Sequence, residues 1–342
     1  MKTGCTAAVG HRQVEVNARG HVLRVLERHQ PQAGEDLEIY LNMRLKQDAY
    51  AALDDRRGTV VAIDLRTGGV FTLVSRPSFD PNLFVDGIGA ADYKVLRDSP
   101  AKPLFNCAIR GQYSPGSTIK PFIALGGLET RTIRLTTTKW CRGYHRLPGH
   151  AHKYRCWNRW GHGTTTLEKA IVQSCDVYFY KLALAMGIDQ LHDFLARFGF
   201  GARTGIDVTG ERRGLLPSKT WKRNTYNQRW FTGGTLIVGI GQGPFLATPL
   251  QLAASTATLA TRGRFIRPRV VHAAKTQGQE AEYEFPAQIR QLSLSLRYLD
   301  QVIASMVRVV RSNRGTAKRI RTDAYSTAGK MRVRQAAYRS SA

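Results

Sequence analysis

A serine and a lysine three residues apart, at the start of an apolar helix, constrain this chain more than any other feature. The tetrapeptide Ser117–Lys120 follows a Pro-Gly pair and leads into the apolar run PFIALGGLE. Positions i and i+3 share a helix face, so Lys120 can place its amine beside the Ser117 hydroxyl. A serine becomes a good nucleophile when a base lies within reach, and burial disfavours the charged form of a lysine. The pattern predicts an acyl-transfer site with Ser117 in the first helical turn, where its backbone N–H can serve an oxyanion.

S-x-x-K also occurs by chance in many chains, so a second motif is needed to support this interpretation. Ser174 and Asp176 frame the motif S-C-D within QSCDVYFY, in the first of two helices predicted over Leu167–Gly199 and ended by glycines. In penicillin-interacting serine enzymes a second serine relays a proton to the leaving group, and the residue two positions on helps to hold the lysine. The alternative is an ordinary Ser and Asp on a helix surface.

The periodicity of the rest of the chain predicts strands around a largely helical middle, which is an α+β pattern. Two aliphatic runs within 58–75 flank Arg-Thr-Gly-Gly and predict a β-hairpin. Residues 1–40 are polar and are expected to be irregular. Further helices are predicted over 41–57, 248–263 and 298–311, and a strand is expected to begin in 324–335.

The charge is strongly basic, because 51 Lys and Arg face 25 Asp and Glu and give a net charge of +26. This excludes an acidic, solvating protein and leaves open an anionic partner or simply a basic proteome. The cations are dispersed rather than clustered in short basic runs, which argues against a nucleic-acid binder. No apolar run has the length of a membrane span or of a signal peptide.

Four soft or borderline metal ligands lie between the two motifs. Cys141, Cys156, His162 and Cys175 offer three thiols and an imidazole, a set that satisfies tetrahedral zinc. A structural zinc site is the favoured interpretation, and a disulfide or free thiols are the alternatives. The five cysteines are an odd number, which argues against a fully paired disulfide framework. His145, His150 and His152 lie nearby in a Gly/Pro loop, where we expect solvent-exposed side chains rather than ligands. Tryptophans 140, 157 and 160 surround the loop and are taken as packing, with an aromatic wall for a peptide substrate as the alternative.

Long runs of this sequence resemble penicillin-binding protein 2, the family of elongation-type peptidoglycan D,D-transpeptidases. They are RRGTVVAIDLRTGGVFTLVSRPSFDPN, GQYSPGSTIKPFIALGGLE, WGHGTTTLEKAIVQSCDVYFYKLALAMGID and VGIGQGPFLATPLQLA. The resemblance implies a β-lactamase-like transpeptidase fold, with an antiparallel sheet flanked by helices. It implies Ser117 as the acylated nucleophile, Lys120 as its base, Ser174 and Asp176 as the second motif, and a glycine-rich loop at Gly239–Gly243 beside the active-site floor.

The family also implies D-Ala-D-Ala stem peptides as acyl donors, acylation by β-lactams, and a membrane glycosyltransferase partner with no nucleic acid. It implies an inner-membrane protein with a periplasmic catalytic domain. Members carry zinc at positions corresponding to the Cys/His set, often with Asp in place of one or two thiols.

The chain departs from the family after Lys330, which falls where the third motif, K-[ST]-G, should begin. It continues with Met331 and Arg332 instead of a hydroxyl residue and glycine, so the seat for the substrate carboxylate is in doubt. The K-T-G at residues 2–4 precedes the nucleophile and is taken as chance. We expect a chain truncated at both ends, without the anchor and the C-terminal strands of the sheet. Its expected parts are a pedestal remnant (1–50), a transpeptidase domain (51–330) and an atypical tail (331–342). The rival interpretations are a catalytically impaired fragment and another S-x-x-K hydrolase of β-lactamase type.

Overall fold

The computed structural model describes residues 8–275 and 282–331. Within these residues, short antiparallel sheets surround a bundle of helices. The strands are β1 His11–Val16, β2 Val22–His29, β3 Asp36–Ile39, β4 Gly58–Ile63, β5 Val70–Arg76, β6 Thr138–Cys141, β7 Tyr144–His145, β8 Tyr154–Arg155, β9 Gly163–Thr166, β10 Arg264–Ile266, β11 Val271–Lys275, β12 Glu282–Glu284 and β13 Ile289–Gln291. The pairs are β1–β2, β4–β5, β6–β9, β7–β8 and β10–β13, and β11 pairs with both β12 and β3. The α+β class is therefore confirmed.

Most of the helices lie between β5 and β10. They are α1 Met43–Leu53, α2 Ala90–Asp98, α3 Cys107–Arg110, α4 Lys120–Glu129, α5 Leu167–Val172, α6 Asp176–Arg197, α7 Lys219–Tyr226, α8 Thr232–Val238, α9 Pro249–Ala260 and α10 Leu296–Arg311. The helices predicted over 41–57, 248–263 and 298–311 are confirmed as α1, α9 and α10. The proposed division at residue 50 falls inside α1, and the three-part organisation of the chain stays a prediction.

Helix α4 is the centre of the core. Its residues from Lys120 to Leu128 are all buried, which explains why its sequence is apolar on every face. Two glycines allow α6 to approach closely, since a Cβ at Gly126 would lie 2.8 Å from Phe194 and one at Gly127 would lie 2.7 Å from Leu182. Helices α5, α6 and α10 pack against α4, so the residue that begins α4 is held from several sides.

The hairpin predicted within 58–75 is confirmed as β4 and β5, joined through a turn in which Asp64 accepts a hydrogen bond from the Thr67 hydroxyl. The expectation that residues 1–40 are irregular is wrong, because β1 and β2 form an antiparallel ribbon there. That ribbon is almost entirely exposed, so its strands carry no regular alternation of buried and polar positions that would have revealed them. The strand expected over 324–335 does not appear in the described part, 324–331, and the rest of that range lies outside the described residues.

Candidate active site and metal centre

Ser117 lies in the turn that opens α4, as the sequence predicts. A 3-10 turn at Gly116–Ile119 precedes the helix, and Ser117 is buried with 6% of its surface exposed. The Gly116 N–H donates to the Gly241 carbonyl at 2.7 Å, and Gly241 has a φ of 69° that favours glycine. The glycine-rich loop at Gly239–Gly243 therefore lies against the backbone of the nucleophile turn.

Lys120 is completely buried and is bonded to the second motif. Its Nζ donates to Asp176 Oδ1 at 2.6 Å, to the Ser174 carbonyl at 2.9 Å and to Ser174 Oγ at 3.1 Å. Within the described residues no hydrogen bond joins Lys120 Nζ to Ser117 Oγ, so the direct contact expected from the i, i+3 spacing is replaced by these three bonds. A lysine ammonium has three donors, and all three are used in holding Ser174 and Asp176.

Ser174 of the second motif lies in a break between helices and Asp176 begins the next helix, which corrects the expectation that the whole motif belongs to one helix. Helix α5 ends at Val172 and α6 begins at Asp176. Ser174 between them has a φ of 55°, the left-handed region that non-glycine residues adopt at a cost of roughly 1–2 kcal/mol. This conformation turns both the carbonyl and the hydroxyl of Ser174 toward Lys120. Of the two glycine stops expected beyond it, Gly187 appears as a non-helical residue within α6, with a φ of 76°, and Gly199 follows the helix end.

Asp176 joins the lysine to the loop that carries the cysteines. Its Oδ1 accepts from Lys120, and its Oδ2 accepts the backbone N–H of Trp157 at 2.9 Å. Asp176 is also in the first turn of α6, where the helix dipole favours a negative charge. The carboxylate is thus fixed from both sides, with 1% of the residue exposed.

Lys330 reaches the same region from the far end of the described chain. Its Nζ donates to the Ile171 carbonyl at 2.7 Å, and the preceding Gly329 N–H donates to the Met306 carbonyl at 3.1 Å. Burial and then the charge of Lys120 lower the pKa of Lys330 well below its ordinary value, while Asp176 opposes the shift. The structure therefore brings the lysine of the predicted third motif near Lys120, the predicted catalytic base. Arg332 lies outside the described residues.

The four predicted metal ligands also come together. The Sγ atoms of Cys141, Cys156 and Cys175 and a ring nitrogen of His162 all lie within 4.8 Å of one another, and all four residues are buried. His162 Nδ1 lies 3.6 Å from Cys141 Sγ and 3.6 Å from Cys156 Sγ. Zinc bound tetrahedrally at ordinary Zn–S and Zn–N lengths sets neighbouring S and N ligands about 3.5 Å apart, so the donor set fits.

The sulfur atoms of this cluster are free thiols, so no disulfide joins the described cysteines. Hydrogen bonds from Cys156 and Cys175 lower the pKa of Cys141 to about 2, whereas the bonds that Cys175 makes to Cys141 and Cys156 raise the pKa of Cys175. A thiolate stabilised by neighbouring thiols can bind a metal ion, because cysteine coordinates metals as the thiolate.

The histidines outside the cluster behave differently from one another. His150 and His152 are exposed, as expected, but His145 in β7 is half-buried. Its Nε2 is buried and has no hydrogen-bond partner in the described structure, and burial lowers the pKa of its ring. None of the three is in the four-ligand cluster.

The sequence interpretation missed the role of Trp157 and was wrong to assign all the loop tryptophans to packing. Trp160 is 95% exposed and Trp140 is 61% exposed. The Trp157 ring meets the His162 ring edge-on, with 5.6 Å between the ring centres, and its Nε1–H donates to the Gln173 carbonyl at 2.9 Å. The backbone N–H of Trp157 also donates to the Asp176 carboxylate, a contact that no side-chain motif could indicate.

A buried lysine one turn after a serine, bonded to an S-x-D motif, is the arrangement that is typical of the penicillin-binding class of proteins. The family model for the penicillin binding protein transpeptidase domain matches residues 58–331, and the chain belongs to that family. Within the family it is 45% identical to the peptidoglycan D,D-transpeptidase MrdA of Acinetobacter baumannii, over 94% of this chain and 48% of that protein. MrdA of Escherichia coli is 41% identical, over 81% of this chain and 44% of that protein.

Solved structures show the same similarity. Pseudomonas aeruginosa PBP2, in complex with WCK 5153, is 45% identical with a TM-score of 0.81, over 88% of this chain and 68% of that one. Helicobacter pylori PBP2, in complex with MreC, is 33% identical with a TM-score of 0.76, over 92% of this chain and 56% of that one. The chain thus spans about half the length of the curated relatives it matches. No helix among the described residues is long and apolar enough to cross a membrane.

Proposed function

We propose that this chain performs the acyl-transfer step of an elongation-type peptidoglycan D,D-transpeptidase. The observation that carries the proposal is Lys120, a fully buried lysine one turn after Ser117 that bonds both polar residues of the second motif. A buried cation with that many partners is costly to assemble, and it adds nothing to an ordinary core that an apolar side chain would not supply.

In the proposed reaction Ser117 Oγ attacks the carbonyl carbon of the penultimate D-Ala of a stem peptide. Lys120 reacts in its neutral amine form, whose lone pair takes the Ser117 proton, and the backbone N–H of Ser117 is one donor to the oxyanion. The bond to the terminal D-Ala then breaks, and Ser174, which is bonded to Lys120 Nζ, carries a proton to the leaving amine. An amine of a neighbouring stem peptide next attacks the ester, which forms the cross-link and frees Ser117.

The test is acylation by a labelled penicillin, followed by mapping of the adduct. We expect a single adduct on Ser117, and none on the Ser117→Ala variant. Ser218→Ala, which changes a helix-capping serine remote from the motifs, is the matched control and should label as the parent does. An adduct on any other serine would contradict the assignment.

A second candidate is a catalytically impaired domain of the same family. It is favoured by one observation, that Met331 follows Lys330 where a hydroxyl residue is expected. A thioether cannot donate a hydrogen bond to a substrate carboxylate, so this variant of the site would bind the donor peptide weakly.

We also propose that Cys141, Cys156, His162 and Cys175 hold a structural zinc ion. The support is the buried donor set and its S–N separations of 3.6 Å. When bound, zinc would fix the ends of β6 and β9 and the start of α6 relative to one another. Elemental analysis of the reduced protein should give about one zinc per chain, with loss in Cys156→Ser and retention in Cys107→Ser. Undiminished zinc in Cys156→Ser would exclude that residue as a ligand.

A place at the cell envelope follows from the same proposal. We infer an inner-membrane protein with its catalytic part in the periplasm, working beside a membrane glycosyltransferase. The support is that Helicobacter pylori PBP2 has been solved with MreC, and that another similar structure concerns the coordination of polymerization and crosslinking by a peptidoglycan synthase complex. Co-purification from cross-linked envelopes with a glycosyltransferase would test the partnership, and its absence from the cross-linked material would count against it.

A further inference from the structure

The segment from β6 to β9 (residues 138–166) has an unusual charge. It holds six Lys or Arg and no Asp or Glu. All of these cations except Lys139 are exposed. None of them takes part in any ion pair of the described structure. The segment is therefore a positive surface without ion-pair partners in the described structure, and it carries three of the four residues of the cysteine and histidine cluster.

Three of these cations converge on one aromatic ring. Arg142 lies 4.8 Å from the centre of the Tyr144 ring, Lys153 lies 4.9 Å from it and Arg146 lies 5.6 Å from it. Each contact with the ring is favourable, but the three like charges repel one another at this range. An anion bound among them would remove that repulsion and accept several charge-assisted hydrogen bonds.

Large aromatic rings stand exposed on the same segment. Trp160 is 95% exposed and Trp140 is 61% exposed. The Trp140 ring lies over Gly163, which has no side chain to cover it. Exposed rings beside unpaired cations are typical of a binding surface rather than of a solvated face.

The segment that carries this surface is hydrogen-bonded to the helix of the second motif. Tyr180 of α6 donates its hydroxyl to the Arg155 carbonyl at 3.2 Å, one helical turn after Asp176. Trp157, in the same segment, donates its backbone N–H to the Asp176 carboxylate. A polymer lying on the segment would thus lie on the chain that is bonded to Asp176 of the second motif.

We propose that this surface binds the carboxylate-bearing stem peptides and sugar rings of a peptidoglycan strand outside the acylation pocket. The proposal rests on the proposed function and adds a second contact region for the polymer. The carboxylates of stem peptides match the cations around Tyr144, and the apolar faces of sugar rings match the exposed tryptophans. A small β-lactam lacks both the length and the sugars, so the surface should discriminate between polymer and antibiotic.

The experiment is co-sedimentation of the protein with purified peptidoglycan sacculi, with vesicles of phosphatidylglycerol and phosphatidylethanolamine as a parallel probe. The variants are Arg146→Ala/Lys153→Ala and, separately, Trp160→Ala. The matched control is Arg197→Ala/Arg290→Ala, which also removes two cations that lie on aromatic rings, near the C-terminal end of α6. Labelling of Ser117 by penicillin is measured on every variant.

We expect sacculus binding to fall roughly five- to tenfold in both test variants and less than twofold in the control, with labelling unchanged. Unchanged sacculus binding in the test variants would overturn the proposal. It would also be overturned if these variants lost vesicle binding while sacculus binding persisted, since the surface would then serve a membrane. If the parent chain binds sacculi through this surface but is never labelled, the proposed catalytic function fails and the binding surface stands.

Discussion

Removal of the charge on Lys120 should destabilise the protein as well as abolish acylation. Lys120 and Asp176 form an ion pair with 0% and 2% of their side chains exposed. In Lys120→Met the apolar stem is kept and the ammonium is lost. Among the hydrogen bonds of the described residues, the Asp176 carboxylate then keeps the one from the Trp157 N–H, and it stays buried. Removal of one partner of a buried ion pair typically lowers the free energy of unfolding by about 3–5 kcal/mol.

The double variant Lys120→Met/Asp176→Asn separates the two effects. It removes both charges, so no ion is left buried without a partner, and replacement of a whole buried pair is often close to neutral. We therefore expect the double variant to recover at least half of the stability lost in the single one, while acylation stays absent in both. The exposed pair Lys219–Asp189, with 58% and 59% of its side chains exposed, provides the control. Lys219→Met should cost no more than about 1 kcal/mol.

The assay is urea unfolding followed by intrinsic fluorescence, together with a thermal melt and penicillin labelling. The single variant should lower the melting temperature on the order of 10 °C. A loss below about 1 kcal/mol in Lys120→Met, equal to the loss in Lys219→Met, would show that the buried carboxylate finds other partners. Equal losses in the single and double variants would show that packing, not charge, sets the cost. Either result would refute the reasoning.

Three further predictions concern the rest of the site. The pKa of Lys330 in the folded protein is lowered from its ordinary 10.5. Between the lowered value and 10.5, the Lys330 amine is protonated in the unfolded chain but not in the folded one. The free energy of unfolding should therefore rise with pH across that window. Urea titrations at several pH values should show a shallower rise in Lys330→Met, and identical slopes would contradict the burial of this amine. Ser174→Ala and Ser174→Gly should both slow acylation by roughly a hundredfold or more, but the glycine variant should be more stable by about 1 kcal/mol because φ is 55° there. Equal stabilities would mean that the left-handed conformation is not strained. Finally, Met331→Thr with Arg332→Gly and Val333→Thr should raise the second-order rate of penicillin acylation by orders of magnitude, and an unchanged rate would make the third motif dispensable.

Much of the site could be predicted from the sequence, because its reactive and metal-binding groups are side chains that occur in recognisable motifs. Ser117, Lys120, Ser174, Asp176 and Lys330 are brought to one region, and the four soft ligands meet in one cluster. The apolar run after Lys120 predicts an apolar helix, and the structure shows that this helix is buried on every side.

The rest depends on backbone geometry that side-chain patterns do not encode. Nothing in the residue types around Ser174 indicates a left-handed residue between two helices, so the motif was placed in a helix. The Trp157 N–H is present in every residue except proline, and its partnership with Asp176 is set by the tertiary structure. The β1–β2 ribbon was missed because exposed strands lack the alternation by which half-buried strands are recognised.

The hydrogen bond between the Trp157 N–H and Asp176 makes the Trp157 amide a probe of local opening between the loop and α6. Trp157 is 41% exposed, so its amide would ordinarily exchange its proton with solvent quickly. Bonded to a carboxylate that is itself buried against Lys120, that proton can leave only when the loop parts from α6. The rate of deuterium uptake at the Trp157 amide therefore reports how often the Asp176 carboxylate loses this hydrogen bond.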